Sequence, residues 1–223
     1  MMFRDTLALC RKDLRVEWMT RITSLQVVPF AVVIVVLFGF ALGPDPKQLR
    51  PAAPGVFWLA VLFSCILGVQ RSMSVEMSDG AIDGLRLAGF DPAGIFLGKL
   101  LALVGELVGL EVLLSILTAV IFGVTLASFW LLVAATLLAT VGLVAVGLLY
   151  GVLLASSRVR ETLLPLLFFP VISPVLIAGT KVWQAALDRH VSTGIGWLEL
   201  LGVFGAIYVA IGIVSFGPLL EDA

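Results

Sequence analysis

The chain has few charged side chains and few cysteines, and these shortages exclude several classes of protein. Only 13% of its 223 residues are charged, whereas 61% are hydrophobic, which leaves too little polar surface for a soluble domain of this length. The two cysteines, Cys10 and Cys65, are too isolated for a disulfide framework or a cysteine metal site. The net charge of −1 gives no basis for nucleic-acid binding through bulk electrostatics.

The sequence also lacks the motifs of a self-contained enzyme. It contains no G-x-x-x-x-G-K-[ST] sequence, so it binds no nucleotide through a P-loop. The single histidine, His190 between Trp183 and Trp197, is of a type that ligates haem or a metal, but a lone histidine is more often a polar residue in a wet loop. We expect no catalytic residue, no metal and no directly bound cofactor.

Long apolar runs predict an all-α integral membrane protein. The first has 21 residues without a charge and is about 32 Å long as a helix, enough to cross the hydrocarbon core. Three prolines in the fifth run, Pro165, Pro170 and Pro174, predict a kink. The six predicted spans are 22–42, 54–74, 100–122, 126–155, 161–180 and 197–217.

The distribution of lysine and arginine predicts the orientation. Ten of these residues fall on one face and four on the other, which places both termini and the polar segment Arg71–Lys99 in the cytoplasm. Four tryptophans near the outer ends of the spans suggest an interfacial belt. The ten are Arg4, Arg11, Lys12, Arg15, Arg21, Arg71, Arg86, Lys99, Arg158 and Arg160; the four are Lys47, Arg50, Lys181 and Arg189; the tryptophans are Trp58, Trp130, Trp183 and Trp197.

The chain divides into three parts: residues 1–21, a six-span domain (22–217) and a short cytoplasmic tail (218–223). Residues 1–21 differ from the other two parts because they have the pattern of an amphipathic helix. Leu7, Cys10, Leu14 and Trp18 fall on one helical face, which predicts an amphipathic helix along the inner membrane surface. Such a helix is either a simple anchor or an elbow that helps to hold a cytoplasmic partner.

Two glutamates lie inside the third apolar run. Glu111 is about 18 Å beyond Lys99 along a helix, close to mid-membrane, and Glu106 lies five residues earlier. A separation of about 140° keeps the two carboxylates on different faces. Each either makes a structural hydrogen bond or marks a protonatable path.

Small-residue spacings indicate close helix packing and favour oligomerisation. They occur at Gly39-x-x-x-Gly43, Gly105-x-x-x-Gly109 and Gly147-x-x-x-Gly151.

A polar segment between the second and third spans, Arg71 to Lys99, holds seven of the 29 charged residues. Asp91-Pro92 predicts an N-cap with proline at the first helical position, starting the helix that leads into the third span. An acidic short helix before it would suit a groove in a cytoplasmic protein, although an ordinary solvated connection fits equally well.

Several of these segments resemble the cytochrome c maturation protein B family, the permeases of haem exporters. The resemblance lies in Arg11–Glu17, Pro54–Ala60, the set Arg71, Glu76, Gly80 and Leu85 followed by Gly98-Lys99, and Arg160–Leu167. Their order and spacing extend over nearly the whole chain.

The resemblance implies the permease of an ABC transporter in cytochrome c biogenesis, a six-span subunit without enzyme activity. It implies a separate cytoplasmic ATPase that binds ATP, a permease homodimer, a membrane haem-handling subunit, a small single-span subunit and a periplasmic haem chaperone, with haem as cargo. The long cytoplasmic loop, 71–99, would then couple to the ATPase. The implied coupling residues are Arg71, Glu76, Asp79, Gly80, Asp83 and Leu85.

The residues leave two other functions open. A proton-coupled carrier would use Glu106 and Glu111, and a membrane scaffold would transport nothing.

Overall fold

A computed structural model describes residues 2–20, 22–78, 84, 89–154 and 159–221. These residues form helices joined by short connections, with no strand among them, so the predicted all-α fold is confirmed. The helices are α1 (Met2–Thr20), α2 (Ile22–Ala41), α3 (Pro46–Ser78), α4 (Pro92–Phe122), α5 (Phe129–Leu153), α6 (Arg160–Leu187) and α7 (Val191–Glu221).

Five of these helices, α3 to α7, are long and apolar enough to cross a membrane. The sixth predicted span corresponds to α2, which has 20 residues but a shorter apolar part, Leu25–Ala41. That part is about 26 Å long, slightly less than a hydrocarbon core of about 30 Å. The prediction of six spans is therefore inexact for α2, because its first turn contains Thr23 and Ser24.

Helices α3, α4, α6 and α7 extend further than the apolar runs that predicted them, whereas α2 and α5 are slightly shorter than predicted. The sequence predicted an outer loop over 181–196, but α6 continues to Leu187 and α7 begins at Val191. His190 lies in the tight turn between them, where its backbone N–H donates to the Ala185 carbonyl at 2.9 Å. Hydropathy marks only the part of a helix inside the bilayer, whereas backbone hydrogen bonding continues through polar residues outside it.

Helix α6 continues through all three of its prolines. Pro174 has no N–H to donate to the carbonyl of Pro170, four residues earlier. The Ser173 hydroxyl donates to that carbonyl instead, at 2.9 Å. A side chain thus satisfies a backbone group that a proline leaves without its usual donor, as transmembrane helices require.

Glycines allow close packing at some of the predicted positions. A Cβ on Gly147 would lie 2.7 Å from Val69, and one on Gly151 would lie 2.8 Å from Met73, so this pair forms the α5–α3 contact. Gly43 instead has a left-handed backbone (φ 72°) just after α2. The remaining motif packs loosely: a Cβ on Gly105 would meet Leu14 at 3.9 Å, and one on Gly109 would meet nothing within 4 Å.

One end of the bundle, which we call the α1 end, gathers α1, the end of α3 and the start of α4. The Cβ positions of Gly98 and Gly217 lie close to Leu9 and Pro92, so α7 also finishes at this end. Of the residues predicted to share the cytoplasmic face, those on α1, the end of α3 and the start of α4 therefore lie on helices that meet at one end, whereas Arg21, Arg86 and Arg158 lie outside the described residues. That this end faces the cytoplasm stays a prediction.

Two of the four tryptophans are in the core rather than in an interfacial belt. Trp58 and Trp183 are each 1% exposed, and Phe57 stacks on Trp183 with ring centroids 3.8 Å apart. The belt interpretation is wrong for these two residues, because α3 and α6 face each other there and bury their rings. Trp130 is exposed, as a belt residue would be.

We predict that Gly179→Ala destabilises the bundle at the end opposite α1. A Cβ on Gly179 would lie 2.7 Å from the Trp58 ring, and overpacking of this kind costs about 1–3 kcal/mol. Thermal unfolding in detergent would show a lower midpoint. Gly196→Ala in α7 is the matched control, since its Cβ would meet nothing within 4 Å; equal midpoints for the two variants would contradict the packing argument.

Candidate coupling site and intramembrane carboxylates

Helix α1 packs directly along the first half of α4. Thr6 and Leu9 are buried in this contact, and a Cβ on Gly98 would lie 3.0 Å from the Thr6 carbonyl oxygen and 2.8 Å from the Leu9 Cβ. Gly94 similarly faces Asp5 at 3.2 Å. The spacing Gly94-x-x-x-Gly98 therefore lets the two backbones approach closely. This pair was not among the three predicted small-residue contacts, although its spacing is visible in the sequence.

The predicted apolar face of α1 is exposed in the structure. Leu7, Cys10, Leu14 and Trp18 line one shallow groove, so they share a face as predicted, and Trp18 is 79% exposed. Arg11 and Arg15 line the same groove, so this face is not purely apolar. This face is available to a bilayer because the opposite side of the helix holds α4. Burial raises the pKa of the Cys10 thiol, and the charge of Asp13 raises it further, so Cys10 is a weak nucleophile at neutral pH.

An ion pair joins the two helices, with Lys99 buried and Asp13 partly exposed. Lys99 Nζ lies 3.4 Å from Asp13 Oδ2, and the Lys99 side chain is 3% exposed. Lys12 lies at the same distance from the other carboxylate oxygen of Asp13 but is 44% exposed. The sequence placed Lys99 at the end of a cytoplasmic loop, whereas the structure places its side chain inside the α1–α4 contact.

The predicted start of α4 is confirmed. Asp91 is the N-cap, with Pro92 at the start of the helix, and the Asp91 side chain accepts a hydrogen bond from the Ala93 N–H. The Asp91 N–H also donates to Asp5 Oδ2 of α1 at 3.5 Å. Helix α1 therefore contacts α4 at the point where the chain leaves the polar segment.

Only part of the predicted coupling set can be placed. Arg71 is half-buried near the end of α3, and Glu76 belongs to the last turns of α3, although its side chain lies outside the described part of the structure. Asp79, Gly80, Asp83 and Leu85 all lie outside the described residues, as does the predicted short helix. The structure thus gives the two helices that border this segment, and the coupling residues stay a prediction.

The two intramembrane glutamates have different environments. Glu111 is 1% exposed, and its Oε1 accepts a hydrogen bond from the Thr140 hydroxyl of α5. Its Oε2 is buried with no hydrogen-bond partner within the described residues. Glu106 is half-buried and lines a crevice between α1, α2, α3 and α4. The prediction that the two carboxylates occupy different faces is confirmed.

The described residues offer no group of three or more His, Cys, Asp or Glu side chains that could hold a metal. His190 is exposed at the turn between α6 and α7. Cys65 is buried and, like Cys10, forms no disulfide.

Comparison with known proteins identifies the family. The model of the CcmB protein family matches residues 4–220. The chain belongs to the CcmB protein family. The resemblance found in the sequence is therefore confirmed, and the matched region includes nearly all of the helices described above.

Three relatives show how far this similarity extends. Heme exporter protein B of Haemophilus influenzae is 31% identical over 213 residues, covering 95% of this chain and 93% of the relative. The protein of the same name from Pseudomonas aeruginosa is 31% identical, covering 77% and 78%. That from Paracoccus denitrificans is 33% identical, covering 68% and 70%. The similarity therefore extends over matching lengths of chain.

We predict that Asp13→Asn loosens α1 from α4. The substitution removes a negative charge from beside the buried Lys99 ammonium, and breaking a buried pair costs about 3 kcal/mol. Hydrogen exchange of residues 2–20 would become faster. Lys12→Met, which removes the exposed partner of the same Asp13, should change exchange little. The double variant Asp13→Asn, Lys99→Met has no buried unpaired charge, so it should regain slow hydrogen exchange in residues 2–20. If it does not, loss of the ion pair is not what loosens α1.

We predict that Thr140→Val destabilises the α4–α5 contact by about 1–3 kcal/mol, because the buried Glu111 carboxyl loses its hydrogen bond. The measurement is the unfolding midpoint in detergent. Thr118→Val is the control: Thr118 is also buried, but its hydroxyl has no hydrogen-bond partner within the described residues. Equal destabilisation by the two substitutions would assign the effect to packing rather than to the hydrogen bond.

Proposed function

We propose that this chain is the membrane subunit of an ABC transporter that delivers haem for cytochrome c maturation. ATP would be bound and hydrolysed by a separate cytoplasmic subunit. The observation that carries the proposal is the family match over residues 4–220, with a relative named heme exporter protein B that aligns over 95% of the chain. The absence of a P-loop motif from the sequence agrees with a division of labour between two chains.

The geometry of α3 and α4 supports coupling through segment 71–99. These helices border the segment and have 33 and 31 residues, so each is about 45–50 Å long. At the α1 end α4 carries the Asp91 cap and the Lys99–Asp13 pair, and at the other end α3 packs through Trp58 against Trp183. A displacement at the segment would therefore reach the opposite end through two continuous helices.

Helix α1 would add stiffness to this coupling element. Its backbone touches α4 at Gly94 and Gly98, and its Asp5 accepts from the Asp91 N–H. The start of α4 would then move together with α1 when an ATPase pushes on segment 71–99. Arg71, Glu76, Asp79, Gly80, Asp83 and Leu85 are the proposed contact residues.

The proposed assembly contains two copies of this chain and two ATPase subunits. A membrane haem-handling subunit, a single-span subunit and a periplasmic haem chaperone would complete it. The proposed location is the bacterial inner membrane, with the α1 end and both termini in the cytoplasm.

We favour ATP-driven release of the haem-loaded chaperone over bulk passage of haem through this subunit. The one histidine is exposed in a turn at the end opposite α1, away from the bundle interior, and the axial ligands of haem are most often histidine. Haem uptake into vesicles that contain only this chain and its ATPase would argue for passage instead.

The glutamates give less support to a proton-coupled carrier. Glu111 is held by Thr140 between α4 and α5, and Glu106 lies in a crevice beside α1, so the two carboxylates line no common surface. A carrier of that kind would work without an ATPase and would lose activity in a Glu111→Gln variant.

Co-purification tests the coupling proposal. The wild-type chain is expected to retain a cytoplasmic ABC ATPase from its own organism. The double variant Glu76→Lys, Asp79→Lys is expected to lose at least about 90% of it, because charge reversal in a docked segment costs several kcal/mol. Asp188→Lys is the matched control, since Asp188 is exposed at the opposite end of the bundle. If neither the wild type nor the control retains an ATPase, the ABC assignment is wrong; if all three retain it, segment 71–99 is not the coupling element.

A further inference from the structure

A lateral crevice opens between α1, α2, α3 and α4 near the α1 end. Its volume is about 530 Å³, within the range of roughly 300–1,000 Å³ that is typical of small-molecule sites. It follows α4 from Leu103 to Leu113, a length of about 15 Å. The crevice therefore extends from the side of α1 along α4 into the apolar part of the bundle.

The rim of the crevice is mostly apolar and exposed, with one acidic side chain, Glu17, on the α1 side. Leu14 and Trp18 of α1 and Leu113 of α4 line it and are 40%, 79% and 43% exposed. In a chain of this composition, exposed leucine and tryptophan on spanning and amphipathic helices face acyl chains rather than water. The crevice is therefore open to the bilayer, and the medium next to it is lipid.

Glu106 is an unusual side chain for such a wall. It is half-buried, and within the described residues it makes no hydrogen bond or ion pair. The one hydroxyl on the wall, that of Ser64, already donates to the Ala60 carbonyl at 2.7 Å. A carboxylate at membrane depth is costly unless a cation or a hydrogen-bond donor meets it, so the position calls for a partner that enters from the crevice.

The charged side chains around Glu106 determine whether the crevice favours a positively or a negatively charged ligand. Glu17 and Asp13 act on Glu106 as negative charges, and Arg71 and Lys99 act as positive ones. Asp13 is already paired with Lys99 and Lys12. The charged side chains that line the crevice itself are the two carboxylates Glu17 and Glu106, so the crevice is locally negative. An anionic head group is therefore disfavoured, whereas an ammonium is favoured.

We propose that the crevice binds one phospholipid with a primary-amine head group. Its ammonium would pair with Glu106, since an ammonium offers three N–H donors to carboxylate oxygens. One acyl chain would cover the apolar wall formed by residues such as Leu107 and Leu110. The occupant comes from the bilayer that the crevice faces, and it would lie between α1 and the helices that border segment 71–99.

Two substitutions test the head-group contact and the space separately. Glu106→Gln keeps the side-chain shape and removes the charge. Gly109→Leu fills the crevice, because Gly109 lines it and a Cβ there would meet nothing within 4 Å. Glu199→Gln is the matched control, since Glu199 is an exposed glutamate of a spanning helix, α7, outside the crevice.

The protein would be purified from membranes containing equal amounts of phosphatidylethanolamine, phosphatidylcholine and phosphatidylglycerol, and retained lipids would be counted by native mass spectrometry. The wild type and Glu199→Gln are expected to retain one phosphatidylethanolamine per chain. Glu106→Gln should reduce its retention about tenfold, as for the loss of one charge-assisted contact. Gly109→Leu should abolish retention of all three lipids.

Four results would overturn the proposal. They are undiminished phosphatidylethanolamine in Glu106→Gln, unchanged lipid in Gly109→Leu, equal retention of phosphatidylglycerol by the wild type, and a co-purifying transmembrane peptide in place of lipid. Unfolding midpoints of all variants would be measured in parallel. Because the two crevice variants act on different properties, misfolding of one leaves the other as the deciding test.

Discussion

The close approach of α1 and α4 is the contact on which the α1 end of the bundle depends. Two glycines one turn apart remove the side chains that would separate the backbones. The approach then takes the Lys99 ammonium out of water, and Asp13 must accompany it because an isolated buried charge is costly. The Asp91 cap follows from the same contact, since its N–H reaches Asp5 of α1. The start of α4, the position of α1 and the crevice beside them are thus set by one interface.

The opposite end is organised by aromatic packing rather than by charge. Trp58, Phe57 and Trp183 form a stacked and edge-on cluster, and Gly179 provides the space for the Trp58 ring. The aromatic contact at this end opposes sliding of α3 past α6. The charged contact at the other end makes the α1 end sensitive to changes in charge. This asymmetry suits a subunit that receives a signal at one end, as proposed above.

Composition and hydropathy were sufficient to predict the fold class, because runs of apolar residues have few alternatives to membrane helices. The N-cap at Asp91 was also predictable, since a local side-chain-to-backbone bond depends on neighbouring residues alone. The burial of Lys99, Trp58 and Trp183 was not, because each depends on which helices become neighbours. Tryptophan and lysine are both common at membrane interfaces, so their residue types favoured the wrong environment. The predicted length of the loop around His190 was too great for a different reason. Polar residues lower the hydropathy, but they can still continue a helix beyond the apolar run.

The hydrogen bond between Thr140 and Glu111 has a consequence for how the bundle can move. Shifting α5 by one residue along α4 would part the hydroxyl from the carboxyl, and no solvent at that depth would replace it. A shifted register therefore costs about 1–3 kcal/mol, the penalty for a buried polar group that loses its hydrogen bond. Movement of α4 and α5 together keeps this bond, whereas a conformational change that separates the two helices has to break it.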